Sequence, residues 1–240
     1  MEILQNHVQN FISSHNIQQL RAQYWRQQQM LVIENFLPAQ FITEYLVPEV
    51  RQCAPYIHRV KIPGFKKSGS VSYHNLKHSA KQIFELYKME IFRKLIEEIV
   101  DVRLEYCPER DGHAAALYYY TEPGDRIGVH YDKSFYKGSR YTVLLGLIQD
   151  STESKLICYP GASKKQPRQN PLPVYTNPGT LVIFNGDVLW HEVTPLGNNE
   201  ERVILTLEYL TDTRISVFNK WLSDFKDRFL YFGKTQYEEV

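Results

Sequence analysis

Cysteine is scarce in this sequence, and its spacing carries no signature. The chain has three cysteines in 240 residues, Cys53, Cys107 and Cys158, so at least one of them cannot pair within the chain. The intervals between them match none of the common zinc-binding patterns. We therefore expect free thiols and a reducing, cytoplasmic location, and not a small fold held together by disulfides or zinc.

The sequence also lacks an excess of charge and any long apolar run. Lys and Arg number 28 against 27 Asp and Glu, which gives a net charge of +1. This balance provides no basic surface for nucleic acid or for an anionic membrane. No stretch approaches the roughly eighteen consecutive apolar residues of a membrane-spanning helix, and no signal-peptide pattern is visible. Nucleic acid and membranes are therefore not expected partners.

Apolar and aromatic residues, in contrast, are plentiful. They make up 43% and 13% of the chain, and 240 residues are enough for one large domain with a substantial core. Because no repeat or linker divides the sequence, we predict a single domain over 1–240. Within it we expect N-terminal support over 1–109, a core over 110–212, and over 213–240 an amphipathic C-terminal helix.

Helical patterns dominate the first hundred residues. Apolar residues at helical spacing predict one or two helices over 2–29, and the apolar run 30–33 predicts a buried strand. A helix is expected over 38–53, with Pro48 kinking or ending it. Another helix is expected over 79–100, where Ser79 would serve as its N-cap.

The segment 59–78 between these helices is polar and contains glycine. A loop of this length without structure of its own is usually functional or disordered. The residues leave two interpretations open. The segment is either a mobile surface loop or a lid over an active site, in which Lys66, Lys67 or Tyr73 would contact a substrate.

Short β-prone runs separated by turn signals fill the second half of the chain. They predict strands at 114–121, 126–132, 140–149, 155–159, 180–184 and 201–209. Asn185-Gly186-Asp187 is a hairpin signal. Side chains alternate along a strand, so Tyr118 and Tyr120 share one face, which we expect to line the interior.

Two histidines and one aspartate stand out against this strand pattern. His130 and Asp132 are two residues apart, so a strand would place both on one face. A later strand leads to His191. Two imidazoles and one carboxylate that leave open positions opposite are typical of non-haem Fe(II) oxygenases. A lone His-x-Asp pair is common by chance, so the prediction depends on the whole set.

Arg202 follows His191 by eleven residues, on the next predicted strand. A guanidinium can grip a carboxylate through two parallel hydrogen bonds. Alternation places Ile204, Thr206 and Glu208 on the same face as Arg202. If Arg202 faces a pocket, Thr206 and Glu208 would line it as well, and Glu208 could hold a substrate amine or simply be a solvated carboxylate.

This order of strands, ligands and arginine resembles the iron(II)/2-oxoglutarate-dependent oxygenases over roughly residues 110–212. The resemblance implies a mainly β fold with flanking helices, in which a double-stranded β-helix (jelly roll) is buttressed by N-terminal and C-terminal helices. It also implies Fe(II) on His130, Asp132 and His191, with 2-oxoglutarate and O₂ as co-substrates. Arg202 would bind the far carboxylate of 2-oxoglutarate.

The sequence departs from the family pattern at one position. Many members carry serine two residues after that arginine, whereas this chain has Ile204. A second hydrogen bond to the carboxylate would then come from elsewhere, and Tyr118, Tyr120 and Thr142 are the candidates.

Within the family, the runs 117–125, 130–132 and 140–147 are similar to the radical halogenases of free amino acids and their hydroxylase relatives. Such halogenases replace the carboxylate ligand by Gly or Ala, whereas Asp132 is present here. The resemblance thus implies hydroxylation, or another oxidation, of a C–H bond in a small free amino acid. Two alternatives stay open, a prolyl-type hydroxylase of protein residues and a non-catalytic, cupin-like binding module.

Overall fold

The computed structural model describes residues 2–216. Seven α-helices occur in this part of the chain: α1 (Glu2–Ser14), α2 (Ile17–Arg26), α3 (Ala39–Phe41), α4 (Val47–Gln52), α5 (Tyr73–Ser79), α6 (Lys81–Lys88) and α7 (Glu90–Val100). A π-helical turn (Ile42–Leu46) joins α3 to α4, and a 3₁₀ turn (Ala54–Tyr56) follows α4. None of the described helices combines the length and apolar character needed to cross a lipid bilayer.

Local sequence explains where most of these helices begin and end. The Asn16 side chain accepts a hydrogen bond from the Gln19 N–H and so caps α2. The helix expected over 38–53 is interrupted as Pro48 predicts, because Pro48 lies in the first turn of α4, directly after the π-helical turn. The single helix expected over 79–100 is wrong. Ser79 ends α5, and Met89, with an extended backbone, separates α6 from α7.

Twelve strands form one sheet of antiparallel pairs that curls into a nearly closed barrel. They are β1 (Met30–Ile33), β2 (His58–Ile62), β3 (Lys66–Val71), β4 (Glu105–Tyr106), β5 (Ala115–Tyr120), β6 (Arg126–His130), β7 (Arg140–Asp150), β8 (Leu156–Tyr159), β9 (Leu172–Val174), β10 (Leu181–Asn185), β11 (Trp190–Val193) and β12 (Glu201–Leu210). Their order is β1-β10-β7-β12-β5-β3-β6-β11-β8-β9, with β2 paired to β3 and β4 to β12. The predicted jelly-roll architecture with flanking helices is confirmed.

Strand β3 joins the two walls of the barrel. Its C-terminal half pairs with β5 and its N-terminal end pairs with β6. The prediction that 59–78 is a loop without structure is therefore wrong, since β2, β3 and α5 occupy it. These strands were not predicted because their side chains are mostly polar, although Ser68 and Ser70 are buried.

Alternation along β12 separates two apolar clusters. Val203, Leu205, Leu207 and Tyr209 face outward and belong to the large core under the helices. Ile204 faces inward and belongs to a smaller cluster inside the barrel, with Leu144 and Phe184. Arg202 and Glu208 lie an even number of residues from Ile204, so their side chains also point toward the interior.

The predictions for the N-terminal support, the C-terminal helix and the cysteines fare differently. β1 and β3, from the predicted N-terminal support, pair within the barrel itself. Ile215 forms a β-bridge with Tyr136, and the rest of the predicted C-terminal helix, 217–240, lies outside the described residues. All three cysteines are buried free thiols.

Candidate metal centre and co-substrate pocket

Two paired strands place the histidines opposite each other. His130 ends β6, His191 lies on β11, and the two are register partners in the antiparallel ladder. Their side chains point into the barrel with ring centroids 4.2 Å apart. Each ring is oriented by its own backbone, because His130 Nδ1 lies 2.8 Å from the Gly128 carbonyl and His191 Nδ1 lies 3.2 Å from the Leu189 carbonyl. An Nδ1–H that donates to a carbonyl leaves Nε2 as the ligand atom.

Asp132 completes the group from a position just beyond the strand. Sequence reasoning extended the strand over 126–132, but β6 ends at His130, because the Asp132 N–H leaves the ladder to donate to the Gly186 carbonyl at 2.8 Å. The Asp132 Oδ1 atom still lies 3.5 Å from His130 Nε2 and 3.8 Å from His191 Nε2. The ligand atoms of the three residues all lie within 4.8 Å of one another.

The electrostatics of the group suit a cation. Burial opposes ionisation of Asp132, but His191, His130 and the hydrogen bond from Thr142 outweigh it and hold the pKa of the carboxyl well below its usual range. Burial, assisted by His130, lowers the pKa of His191 to about 4, so its imidazole is neutral at pH 7. A carboxylate and neutral imidazoles converging from one side fit Fe(II), with open positions on the other side.

A turn between β10 and β11 holds the aspartate in place. The predicted hairpin at 185–187 is wrong, because β10 pairs with β7 and β1 whereas β11 pairs with β6 and β8. The turn crosses from one wall of the barrel to the other. A Cβ at Gly186 would lie 3.0 Å from the Asp132 Cβ, so glycine permits this close approach. Asp187 accepts hydrogen bonds from the N–H groups of Ser134 and Arg140.

Thr142 orients the carboxylate ligand. Its Oγ1 donates to Asp132 Oδ2 at 3.0 Å, which leaves Oδ1 toward the histidines. The structure thus brings Thr142 to the metal centre, whereas the sequence suggested it as a partner for 2-oxoglutarate.

We expect Thr142→Val to weaken Fe(II) binding by about 10–100-fold, the usual effect of removing a hydrogen bond to a metal ligand. Valine matches the shape of threonine at this fully buried site and differs in lacking the hydroxyl, so the substitution tests the hydrogen bond to Asp132 without opening a cavity. Equilibrium dialysis against Fe(II) or Mn(II) measures the change. Thr43→Val is the control, since the exposed Thr43 hydroxyl donates to the Ala39 carbonyl four residues earlier, outside the barrel. Equal metal affinity in Thr142→Val and the wild type would exclude an orienting role for this hydroxyl.

A cavity of about 280 Å³ opens beside the metal centre. Its wall includes all three candidate ligands together with Tyr118, Tyr120, Thr142, Arg202, Thr206 and Glu208. The structure therefore brings together, around one cavity, most of the residues that the sequence singled out.

Arg202 lies in this wall as a buried cation with only 1% of its surface exposed. Its Nε donates to Gln149 Oε1 at 3.1 Å, and its Nη2 donates to Thr176 Oγ1 at 3.0 Å. Its Nη1 has no hydrogen-bond partner, and no carboxylate of residues 2–216 pairs with it. Burial lowers the pKa of Arg202, but a guanidinium stays charged at neutral pH. A buried, uncompensated cation of this kind calls for an anionic ligand.

Two tyrosines flank this part of the cavity. The Tyr120 ring lies beneath Arg202, with the guanidinium carbon 5.1 Å from the ring centroid, and burial raises the pKa of Tyr120 to about 12. The Tyr118 hydroxyl lies 3.1 Å from His113 Nδ1. Gln149 and Thr176 were missed by the sequence analysis because they reach Arg202 from distant parts of the sequence. His113 was missed although it lies only five residues before Tyr118.

Three residues that the sequence singled out in the 59–78 segment do not line the cavity. Lys66 is buried, with its Nζ 5.0 Å from the centroid of the Tyr118 ring. Lys67 pairs at the surface with Glu122. Tyr73 is buried in the helical core against Phe84. The structure therefore does not bring Lys67 or Tyr73 to the candidate site, and the residue of this segment that lines the cavity is Phe65, between β2 and β3.

Comparison with known proteins gives a match in structure alone. No family model and no curated protein matches the sequence. Among solved structures, the α-ketoglutarate-dependent epimerase SnoN of nogalamycin biosynthesis matches with a TM-score of 0.66 and 14% identity over 81% of this chain and 80% of that one. A prolyl hydroxylase from Trichoplax adhaerens, bound to a hypoxia-inducible-factor peptide, matches at 0.64 and 15% over 93% and 96%. A Pseudomonas putida prolyl-4-hydroxylase matches at 0.59 and 18% over 82% and 99%.

The fold is that of 2-oxoglutarate-dependent oxygenases. These matches span at least four fifths of each chain, so the 2-oxoglutarate oxygenase fold accounts for the barrel and its flanking helices together. Because the neighbours include an epimerase and prolyl hydroxylases, this fold does not by itself select one reaction or substrate class.

Proposed function

We propose that the protein is an Fe(II)- and 2-oxoglutarate-dependent oxygenase. One observation carries the proposal: a two-histidine, one-carboxylate group and a buried, uncompensated arginine line the same cavity. A binding module with only a structural metal would have no use for a buried cation in the cavity. The non-catalytic, cupin-like alternative is therefore disfavoured.

The residues divide the work of such a reaction between two walls of the barrel. His130, Asp132 and His191 hold Fe(II), which together with 2-oxoglutarate and O₂ supplies the oxidising power. Arg202 grips the far carboxylate of 2-oxoglutarate and thereby orients the other end toward the metal. Tyr120, beneath the guanidinium, is the candidate for a further hydrogen bond to that carboxylate. It would take the role of the serine that many family members carry at the position of Ile204. The apolar residues Leu144 and Ile204 keep water from the space between.

The substrate we propose is a small free amino acid or a close derivative, in which a C–H bond becomes C–OH. Asp132 would take the ligand place that a halide needs in a halogenase, so hydroxylation is favoured over halogenation. Thr206 and Glu208, in the cavity wall, are the candidate substrate contacts. A cytoplasmic location and the absence of a nucleic-acid partner remain predictions from composition.

The test is succinate formation by the purified protein with Fe(II), 2-oxoglutarate, ascorbate and each free amino acid in turn. We expect one amino acid to raise succinate formation well above the substrate-free rate and to gain one oxygen atom by mass spectrometry. Added chloride should alter neither product nor rate. Absence of any succinate, with or without substrate, would refute the oxygenase assignment.

A prolyl-type hydroxylase of protein residues is the second candidate. It is favoured by the likeness to the two prolyl hydroxylases, one of which is bound to a peptide. Proline-containing peptides belong in the same assay, and stimulation by peptides alone would select this candidate over the free amino acid.

A further inference from the structure

A second charged group lies in the cavity wall, apart from the metal ligands and Arg202. Arg140, the first residue of β7, and Glu208, near the end of β12, contact each other through Nη1 and Oε2. Each side chain is about 5% exposed, and both line the cavity. Neither the metal centre nor the carboxylate grip of Arg202 makes use of this pair.

Asp111 fixes the pair from behind. Its Oδ2 accepts the Tyr136 hydroxyl at 3.1 Å and lies 3.4 Å from Arg140 Nη2, and its Oδ1 accepts the His113 N–H at 3.0 Å. Asp111 is thus fully engaged, and it does not line the cavity. Its role is to position the Arg140 guanidinium.

Arg140 and Glu208 are less completely satisfied than Asp111. Arg140 Nε is buried without a hydrogen-bond partner. In the described part of the chain, the Glu208 carboxylate has no side-chain partner other than Arg140. A buried charged group with unused hydrogen-bonding capacity costs free energy, and a ligand that bonds to it removes that cost. The cavity is the side from which that ligand can arrive.

We propose that Arg140 and Glu208 together bind the zwitterionic head group of a free amino acid, with its ammonium on Glu208 and its carboxylate on Arg140. The inference rests on the proposed function and assigns the substrate contacts of the same site. It replaces Lys66 and Lys67, which the sequence suggested as the cationic contacts, by a cation that lies in the cavity wall.

A cation and an anion side by side select for a ligand that carries both charges. A deaminated acid would satisfy Arg140 and add a second negative charge beside Glu208. A decarboxylated amine would do the reverse at Arg140. Each analogue therefore satisfies one member of the pair and is repelled by the other, which costs more than a missing contact in an apolar pocket.

The register of the strands separates this head group from the 2-oxoglutarate carboxylate. Glu208 is the register partner of Thr142, which bonds to Asp132, so the pair lies at the level of the metal centre. Arg202 is six residues away along β12, about 20 Å at the usual rise per residue. The two carboxylates therefore do not compete for one arginine.

The test compares discrimination within each protein. Wild type, Glu208→Gln and Arg140→Lys are assayed for succinate formation with the best free amino acid, its deaminated acid and its decarboxylated amine. We expect Glu208→Gln to lose at least about tenfold of the preference for the amino acid over the deaminated acid. Arg140→Lys should lose part of the corresponding preference over the amine, because lysine keeps the charge but not the paired donors of arginine. A ratio measured on one preparation does not depend on how much of the protein is folded.

Glu97→Gln is the matched control, because it removes a carboxylate from the Arg93 ion pair on α7, away from the cavity. Titration calorimetry of 2-oxoglutarate with Mn(II) separates the two proposals. Loss of the preference with intact 2-oxoglutarate binding supports the head-group site. Equal penalties on all three compounds, or no response to any free amino acid while 2-oxoglutarate still binds, would overturn it. No 2-oxoglutarate binding in the wild type would instead refute the proposed function itself.

Discussion

Replacement of His191 by alanine should reduce 2-oxoglutarate turnover by at least about 1000-fold. His191 supplies one of three protein ligands, and it is the one most deeply buried among them. Loss of a metal–imidazole bond costs several kcal/mol, and each 1.36 kcal/mol is a factor of ten. Removal of the imidazole also takes away the Nδ1–H that the Leu189 carbonyl now accepts. Metal content, measured on the dialysed protein, should fall together with turnover.

His15→Ala is the control for this experiment. His15 is exposed between α1 and α2, outside the barrel, and its ring contacts only the first helix. The control should keep full metal content and turnover, and both variants should retain the far-ultraviolet circular dichroism of the wild type. A His191→Ala protein that still bound one Fe(II) per chain and turned over normally would disprove the ligand assignment.

Arg202→Ala should raise the KM for 2-oxoglutarate by one to two decades. A charge-assisted hydrogen bond to a buried partner is worth about 1.5–3 kcal/mol, which corresponds to this range. Arg202→Lys should fall in between, because lysine keeps the charge but not the planar pair of donors. Steady-state kinetics gives the KM, and calorimetry with Mn(II) gives the binding constant without turnover.

The matched control is Arg51→Ala. Arg51 donates to Glu201, the residue next to Arg202, but on the outer face of the sheet and with half of its side chain exposed. Its loss should leave the KM unchanged, since exposed ion pairs contribute about 0–1 kcal/mol. An unaltered KM in Arg202→Ala would mean that another group binds the co-substrate.

The sequence was sufficient for the parts of the site that follow from alternation along strands. His191, Arg202 and Glu208 face the interior because their strands place every second side chain there. Alternation failed at Asp132, where a hydrogen bond to Gly186 takes the chain out of the ladder. Alternation also failed to predict the strands within 59–78, because buried positions of β3 carry serines and not apolar residues.

Contacts between distant elements were beyond sequence reasoning. The pairing of Arg140 with Glu208 joins residues 68 positions apart, and Asp111 reaches Arg140 from a third segment. Nothing in the local pattern around Arg140 distinguishes it from a solvated arginine at a strand end. Likewise, Asn185-Gly186-Asp187 has the composition of a hairpin, and only the pairing of the flanking strands shows that it is a crossover.

The crossover turn has a thermodynamic consequence. Gly186 accepts the Asp132 N–H and donates to the Arg140 carbonyl, and Asp187 accepts the Arg140 N–H, so one short turn anchors both a metal ligand and the start of the head-group site. Metal binding that orders this turn therefore lowers the conformational free energy that substrate binding must supply. Such linkage is reciprocal, so the substrate should tighten the metal by the same factor as the metal tightens the substrate. Metal and substrate would then bind cooperatively, whichever of the two arrives first.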